Sequence, residues 1–588
     1  MSTHIGKLGL SIPELHPLPS GSPSLTATYI ANWRANLPMA DMGAAAKQIF
    51  EMLNKVNSSA MSMQNRFDIL EIMRPPIHYV CQGLKKHYLQ QTHALNEKKL
   101  TISNLGRTLQ TEIANGYKLI LEEAFTHHTY AQQKSMVATS IQRVMYYFRH
   151  IFVRSYQLYC IPPKSLWLEL HILFNIAEKA TFLNETIINN DPTAQDSNTI
   201  LQAYQAIVLL AALDPYKQRQ SSIEALDKAF SEWATLTTLS NSQTLVEKKG
   251  CFVIHLKQDS APFPASLALF QLGPDTRVLE TSKFTAHLKK LLLHLEDNEV
   301  NIRMEHAESE VDYNIDCSIL KVLIKDLETL RQRILSREPS QNEIALSLGL
   351  SATHHYLSQE ESFPPKEDIL QTSPVADVTV LEEASETIDL GGLEISKPAN
   401  QSAFSIHQCK VNNFHSSGYC IEWTAGAYPP IQAEEIVGIK SPASANWQVG
   451  ITRWLKHFEH DILKLGIELL SIPAKSVGTQ ILKDGKPAGY YLRCILLEDP
   501  ENKKTPKLIT PILPFKVGSV VLFNYANSHE IKEATLTKLT EASGRYKIFD
   551  IKFKQDPVES KVEPLVTATP EPVKPSSNSE FDSIWTSL

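Results

Sequence analysis

Two arginines four residues apart, Arg333 and Arg337, close the run Arg331-Gln332-Arg333-Ile334-Leu335-Ser336-Arg337. A guanidinium is a permanently charged planar fork. It pairs bidentately with a phosphate or a guanine edge and stacks on a base face. Two such forks on one short loop, with Arg331 beside them for phosphate, suit a small guanine nucleotide. Downstream, Asn413-Phe414-His415-Ser416-Ser417-Gly418 reads as a tight polar turn that opens the strand Tyr419-Cys420-Ile421-Glu422-Trp423. Asn413 can hydrogen-bond at that turn, and Gly418 is expected to take φ > 0 and let the backbone approach a ligand closely.

The surrounding pattern must place these groups. Residues 1–26 are rich in Pro, Ser and Gly and read as a loose leader. From 27 to 240 apolar residues recur at helical spacing, which predicts an all-α array of antiparallel helices, solenoid- or tetratricopeptide-like but without a clean repeat. Pro75-Pro76 is expected to break one helix, and Trp167, Tyr204 and Trp233 are expected in the core. Residues 243–330 mix strand and helix signals and form an expected α+β connector. A strand-like run, Glu343–Leu348, follows the arginines, and 349–357 reads as a second strand or short turn. The acidic, Pro-interrupted stretch 358–400 predicts a disordered insertion. Short strands then recur, giving one β-barrel over 331–472 and a second small β unit over 475–555. The tail 556–588 is Pro-, Glu- and Ser-rich, yet ends with Phe581, Ile584, Trp585 and Leu588 at i, i+3, i+4 and i+7, the pattern of a docking helix for a protein partner.

Arginines at the spacing of Arg333 and Arg337, an Asn413–Gly418 turn, and the strand pair Val449–Trp454 and Leu465–Leu469 together resemble the PilZ domain, a receptor for cyclic di-GMP. The resemblance covers roughly 331–357 and 404–472 and implies a ligand held by Arg331, Arg333, Arg337, Asn413, His415, Ser416 and Gly418. His415 departs from the family, which has Ser there, and Ser416 or Ser417 can supply the hydroxyl if the turn shifts by one residue. The acidic insertion between the motif halves is a second departure. Family likeness implies a non-catalytic bacterial signalling protein that relays cyclic di-GMP to a protein partner in motility, type IV pili, surface attachment or biofilm control. The competing expectation is a PilZ-fold interaction scaffold that binds no nucleotide.

Bulk properties narrow the classes further. At 588 residues the chain is long enough for several domains, and 43% of it is apolar. Its net charge of −7 argues against direct DNA binding, which needs a basic stripe. Seven scattered cysteines without a CxxC pair read as reduced thiols of a cytoplasmic protein. No apolar run is long enough for a transmembrane helix. Neither His127-His128, His354-His355 nor His457 with His460 and Asp461 has metal-site spacing, and no P-loop, GxGxxG or GxSxG occurs, so no cofactor and no catalysis are expected.

Overall fold

The computed structural model describes residues 3–17, 24–89, 97–188, 199–241, 249–267, 273–298, 303–306, 309–312, 315, 317–329, 338–359, 404–423, 431–442, 444, 446–458, 462–470, 472–483, 485–499, 505–525 and 528–554. Arg331, Arg333 and Arg337 lie outside the described residues, as do the tail with Phe581, Ile584, Trp585 and Leu588 and the expected insertion 358–400 from residue 360 onward. Ser358, its first residue, is instead the C-cap of the helix that precedes it.

The start of the chain is not a loose leader. Strands β1 (Thr3–Ile5) and β2 (Ser11–Pro13) pair antiparallel. Leu10 and Ile12 are buried in the helical core, and the Ser11 N–H donates to Glu169 at 3.0 Å. Apolar side chains two apart on a strand share a face, so a three-residue strand suffices to anchor the segment.

Helices α1 (Ala27–Ala35), α2 (Met42–Ser58), α3 (Met63–Lys85), α4 (Glu97–Thr126), α5 (Lys134–Gln157), α6 (Leu166–Lys179), α7 (Ile200–Ala212) and α8 (Gln220–Trp233) build the first domain. Thr26, Asp41, Ser62 and Thr199 cap α1, α2, α3 and α7 by accepting from a backbone N–H in the first turn. Helix α5 is buried on every face, and α4, α6, α7 and α8 pack around it. Trp167, Tyr204 and Trp233 are core residues, as expected.

The expected break at Pro75-Pro76 is absent, because α3 runs through both. A proline at 76 cannot donate to the Ile72 carbonyl. Arg34 Nη1 donates to that oxygen instead, at 3.3 Å.

Strands β3 (Thr238–Ser240), β4 (Cys251–His255), β5 (Phe263–Pro264) and β6 (Thr276–Glu280) form a sheet in the order β3-β6-β4-β5. Helix α9 (Ser282–Asn298), the hairpin β7 (Arg303–His306) and β8 (Ser309–Asp312), and α10 (Cys317–Glu328) follow. Phe284, Leu288, Leu320, Leu323 and Leu327 bury in the same core as the helical array.

The first barrel comprises β9 (Glu338–Pro339), β10 (Glu343–Leu348), β11 (His407–His415), β12 (Gly418–Trp423), β13 (Ile436–Lys440), β14 (Gln448–Phe458) and β15 (Ile462–Leu469). Its order is β10-β13-β14-β15-β12-β11. A β10–β11 pairing closes it and β9 adds to β11. Residues 350–357 form a helix, α11 (Leu350–Leu357), rather than the expected strand or turn. Gly349 at φ 85 turns the chain out of β10, and α11 packs its apolar residues between the two barrels.

The second barrel closes in the order β16-β17-β18-β21-β20-β19, from β16 (Ala474–Lys483), β17 (Lys486–Leu497), β18 (Lys507–Thr510), β19 (Val520–Tyr525), β20 (Ser528–Ala542) and β21 (Lys547–Phe553). Ile436, Val449 and Ile451 of the first barrel share one buried cluster with Ile495, Leu497, Ile509 and Ile548 of the second. That dry seam joins the barrels as two halves of one body.

Contact with the helical domain is narrower. Tyr159, just past α5 at φ 55, inserts its ring into the core of the first barrel. Its carbonyl accepts the His457 N–H at 2.7 Å, and its hydroxyl donates to the Gln218 carbonyl at 3.0 Å.

Candidate nucleotide site

The chain that leaves the arginine run enters the fold beside the polar turn. Glu338, one peptide beyond Arg337, is the register partner of Phe414, and Pro339 is the partner of Asn413. β11 and β12 then meet at His415↔Gly418. Among the described residues the turn is therefore next to the point where the arginine-bearing segment arrives.

Alternation decides which side chains face outward. Phe414, Tyr419 and Ile467 align across three strands and pack on the barrel core. The rows on either side face the other way: Asn413, Cys420 and Gly466 in one, His415, Gly418 and Glu468 in the next. Asn413, His415 and Gly418 thus share the outer surface. Trp454 covers Gly466, since a Cβ there would lie 2.0 Å from the indole Nε1.

His415 holds the turn itself. Its Nδ1 accepts the Ser417 N–H at 3.1 Å, and the Ser417 and Ser416 hydroxyls lie 3.1 and 3.3 Å from the same nitrogen. An imidazole here performs the local side-chain-to-backbone role that a hydroxyl performs in Ser-bearing turns.

Gly418 is needed for a different reason than expected. It is not among the glycines with positive φ. A Cβ at 418 would sit 2.1 Å from the Ile467 carbonyl oxygen, so glycine is required by the close approach of β15 and not by a left-handed backbone.

Ser416 opens onto a cleft of about 830 Å³ at this end of the barrel, within the range of small-molecule sites. Tyr356, Lys440, Asn446, Trp447 and Gln448 line it, and its floor is the connection between the barrels, including Leu470, Ile472 and Pro473. Sequence reasoning missed these cleft residues. The available signal was Trp447 itself, a tryptophan flanked by Asn446 and Gln448 at the start of a strand.

From the outer face an ionic chain reaches the second barrel. Arg453 Nε donates to Glu468 at 2.6 Å, and its Nη1 and Nη2 donate to the two carboxylate oxygens of Glu541 at 2.8 and 3.3 Å. The Tyr546 hydroxyl donates to Glu541 at 2.7 Å. Burial works against the charged form of Glu541, but the Arg453 bonds outweigh it and hold the carboxyl below its usual range. Arg453→Ala is expected to cost about 1–2 kcal/mol in denaturant unfolding, because it leaves Glu541 half-buried without its fork. An unfolding midpoint unchanged by that variant would refute the assignment.

Across the same junction, Arg545 Nη1 donates to Glu435 Oε1 at 2.9 Å. Burial raises the Glu435 carboxyl, while Arg545 and Arg219 of the helical domain pull it back. Among the described residues no group of His, Cys, Asp and Glu is arranged to hold a metal ion, and no helix is long and apolar enough to cross a membrane.

A closed antiparallel barrel with a polar turn beside the entry strand Glu338–Pro339, joined to a second barrel and a helical domain, is the architecture of a multidomain PilZ protein. Family models match the chain in the same order: "Cyclic-di-GMP receptor FimW, N-terminal domain" over 28–244, its "middle PilZ domain" over 251–386 and 366–475, and the "FimW C-terminal beta-barrel domain" over 477–553. The chain belongs to this PilZ-domain family of cyclic-di-GMP receptors. The "Cyclic-di-GMP receptor FimW" of Pseudomonas aeruginosa is 26% identical over 604 residues, covering 96% of each chain. No solved structure matches. The PilZ match begins at 251 and so takes in β4 to α10 as well as the barrel.

Proposed function

We propose that this chain binds cyclic di-GMP on the first barrel, between the segment carrying Arg331, Arg333 and Arg337 and the turn carrying Asn413, His415, Ser416 and Gly418. The observation that carries the reading is the pairing of Glu338 and Pro339 with Phe414 and Asn413, which brings the chain from Arg337 to the edge of the turn. Arginine forks then take phosphate and guanine edges, and the polar turn supplies hydrogen bonds on the outer face. The protein acts as a cytoplasmic, non-catalytic receptor and relays occupancy to a protein partner through the helical array and the tail residues Phe581, Ile584, Trp585 and Leu588. Motility, type IV pili, surface attachment and biofilm control are the processes such a relay serves.

Calorimetric titration with cyclic di-GMP at two salt concentrations tests this. Saturable binding is expected for the native chain, weaker at higher salt, and a loss of about thirty-fold or more for Arg333→Ala with Arg337→Ala, at about 1–3 kcal/mol for each bidentate contact. No binding by folded native protein would sink the receptor reading.

One observation favours a second reading, an interaction scaffold that binds no nucleotide. The turn satisfies its own hydrogen bonds, through His415 and the two serines. Under that reading partner capture survives the double arginine substitution, and under the receptor reading its nucleotide dependence disappears.

A further inference from the structure

The cleft beside Ser416 has the makings of a base-binding pocket. Trp447 is half-buried on its wall and stacks on Tyr356, with ring centroids 4.9 Å apart and planes at 23°. Tyr356 is fixed in turn, since it is buried and its hydroxyl donates to the Phe404 carbonyl at 2.8 Å. On another side, a Cβ at Gly438 would come 3.3 Å from Trp447 Cε3. An indole held in this way loses little entropy when a planar ring stacks on it. Lys440 lines the same cleft and has no ion-pair partner among the described residues. Asn446 and Gln448 add exposed amides that can donate and accept.

Topology puts the cleft at the same end of the barrel as the turn. Leu469 donates its N–H to the Ser417 carbonyl at 2.9 Å, and Lys440 is the register partner of Ala345 near the start of β10, the second strand after the arginine-bearing segment. A cyclic dinucleotide carries two guanines and two phosphates. The arginine loop and the turn account for one half of it. Resting on the receptor reading above, we infer that the cleft takes the second guanine, stacked on Trp447, with Lys440 facing the phosphodiester next to it. The floor of the cleft is the connection between the barrels, so the ligand would touch both the turn and the Ile472–Ala474 linker.

Calorimetry with cyclic di-GMP on the full chain separates this from the receptor reading. Trp447→Ala is expected to weaken binding about ten-fold or more, the usual effect of removing a base-stacking aromatic. Trp447→Phe keeps a stacking face and is expected within about three-fold of the native chain. Lys440→Glu is expected to weaken binding at low salt and less at high salt. If Trp447→Ala fails to fold, as judged by thermal melting, Lys440→Glu carries the test. Native affinity in Trp447→Ala or, if it does not fold, in Lys440→Glu, with binding lost in the double arginine variant, overturns the cleft assignment and leaves the receptor reading standing. No binding by the native chain overturns the receptor reading, and the cleft assignment falls with it.

Discussion

Gly418→Ala is expected to destabilise the first barrel by about 3 kcal/mol and to abolish ligand binding with it. The added Cβ would lie 2.1 Å from the Ile467 carbonyl oxygen, 3.2 Å from its carbon and 3.3 Å from Glu468 Cα. All three are backbone atoms of a paired strand, so no side chain can swing aside to relieve the clash. Either β15 moves away, breaking its ladder to β12, or the turn opens. Gly273→Ala is the control, because nothing lies within 4 Å of a Cβ built there. Thermal unfolding of the two variants against the native chain decides the matter. If Gly418→Ala melts with the native protein, the close approach of β15 to that position is refuted.

Acidification from pH 6.5 to 4 is expected to remove about 3 kcal/mol of stability through His171. Its ring is buried, with Nδ1 2.8 Å from the Tyr204 hydroxyl and Nε2 3.1 Å from the Ser260 carbonyl. Burial lowers the imidazole to about 4, despite the opposing pull of the Ser260 carbonyl and Asp259. The folded chain therefore stays neutral at His171 while the unfolded chain takes up a proton below 6.5. Stability is unaffected by this residue above that pH, falls as pH drops through the window, and levels off below about 4. His354 works in the same direction, lowered to about 3 by burial and by Arg493. Glu71 is also depressed, against burial, by Arg143 and Arg74, but it loses its contribution only as pH falls below the ordinary carboxylate value of 4.5. The interval from 6.5 to 4.5 therefore excludes Glu71 but not Glu435, whose burial-raised carboxyl works in the opposite sense there. Comparison with a variant that keeps Glu435 is what isolates His171. Urea unfolding of native protein and His171→Gln at several pH values measures it. The variant should give a flatter profile over that interval, and an equal slope in both proteins would refute the prediction.

The parts of this fold that sequence patterning exposes are those governed by local periodicity. α7 announces itself by a long apolar run, α5 by apolar residues at helical spacing, and the later strands by alternation between turn residues. What escaped was set by distant contacts. Pro75 and Pro76 look like a helix stop until Arg34, some forty residues earlier in the chain, supplies a donor to Ile72. Leu350–Leu357 carries no strong helical signature and folds as a helix because both barrels offer it an apolar seat. At the site, the Asn413–Gly418 motif correctly located a turn, but the reason for its glycine lies in Ile467, a residue that no local pattern links to it. The cleft was hidden for the same reason. Tyr356, Ser416, Lys440 and Trp447 come from α11, the turn, β13 and the start of β14, and only barrel closure makes them neighbours.

Tyr159 blurs the notion of a domain in this protein. By chain position it belongs to the helices, yet its ring completes the interior of the barrel that begins almost two hundred residues later. A barrel cut out at any sequence boundary would be left with a tyrosine-sized hole lined by the apolar residues that now touch it, and with the His457 amide deprived of its acceptor. The smallest self-sufficient piece of this molecule is accordingly defined by what fills its interior, and it is larger than any stretch a linear reading would excise.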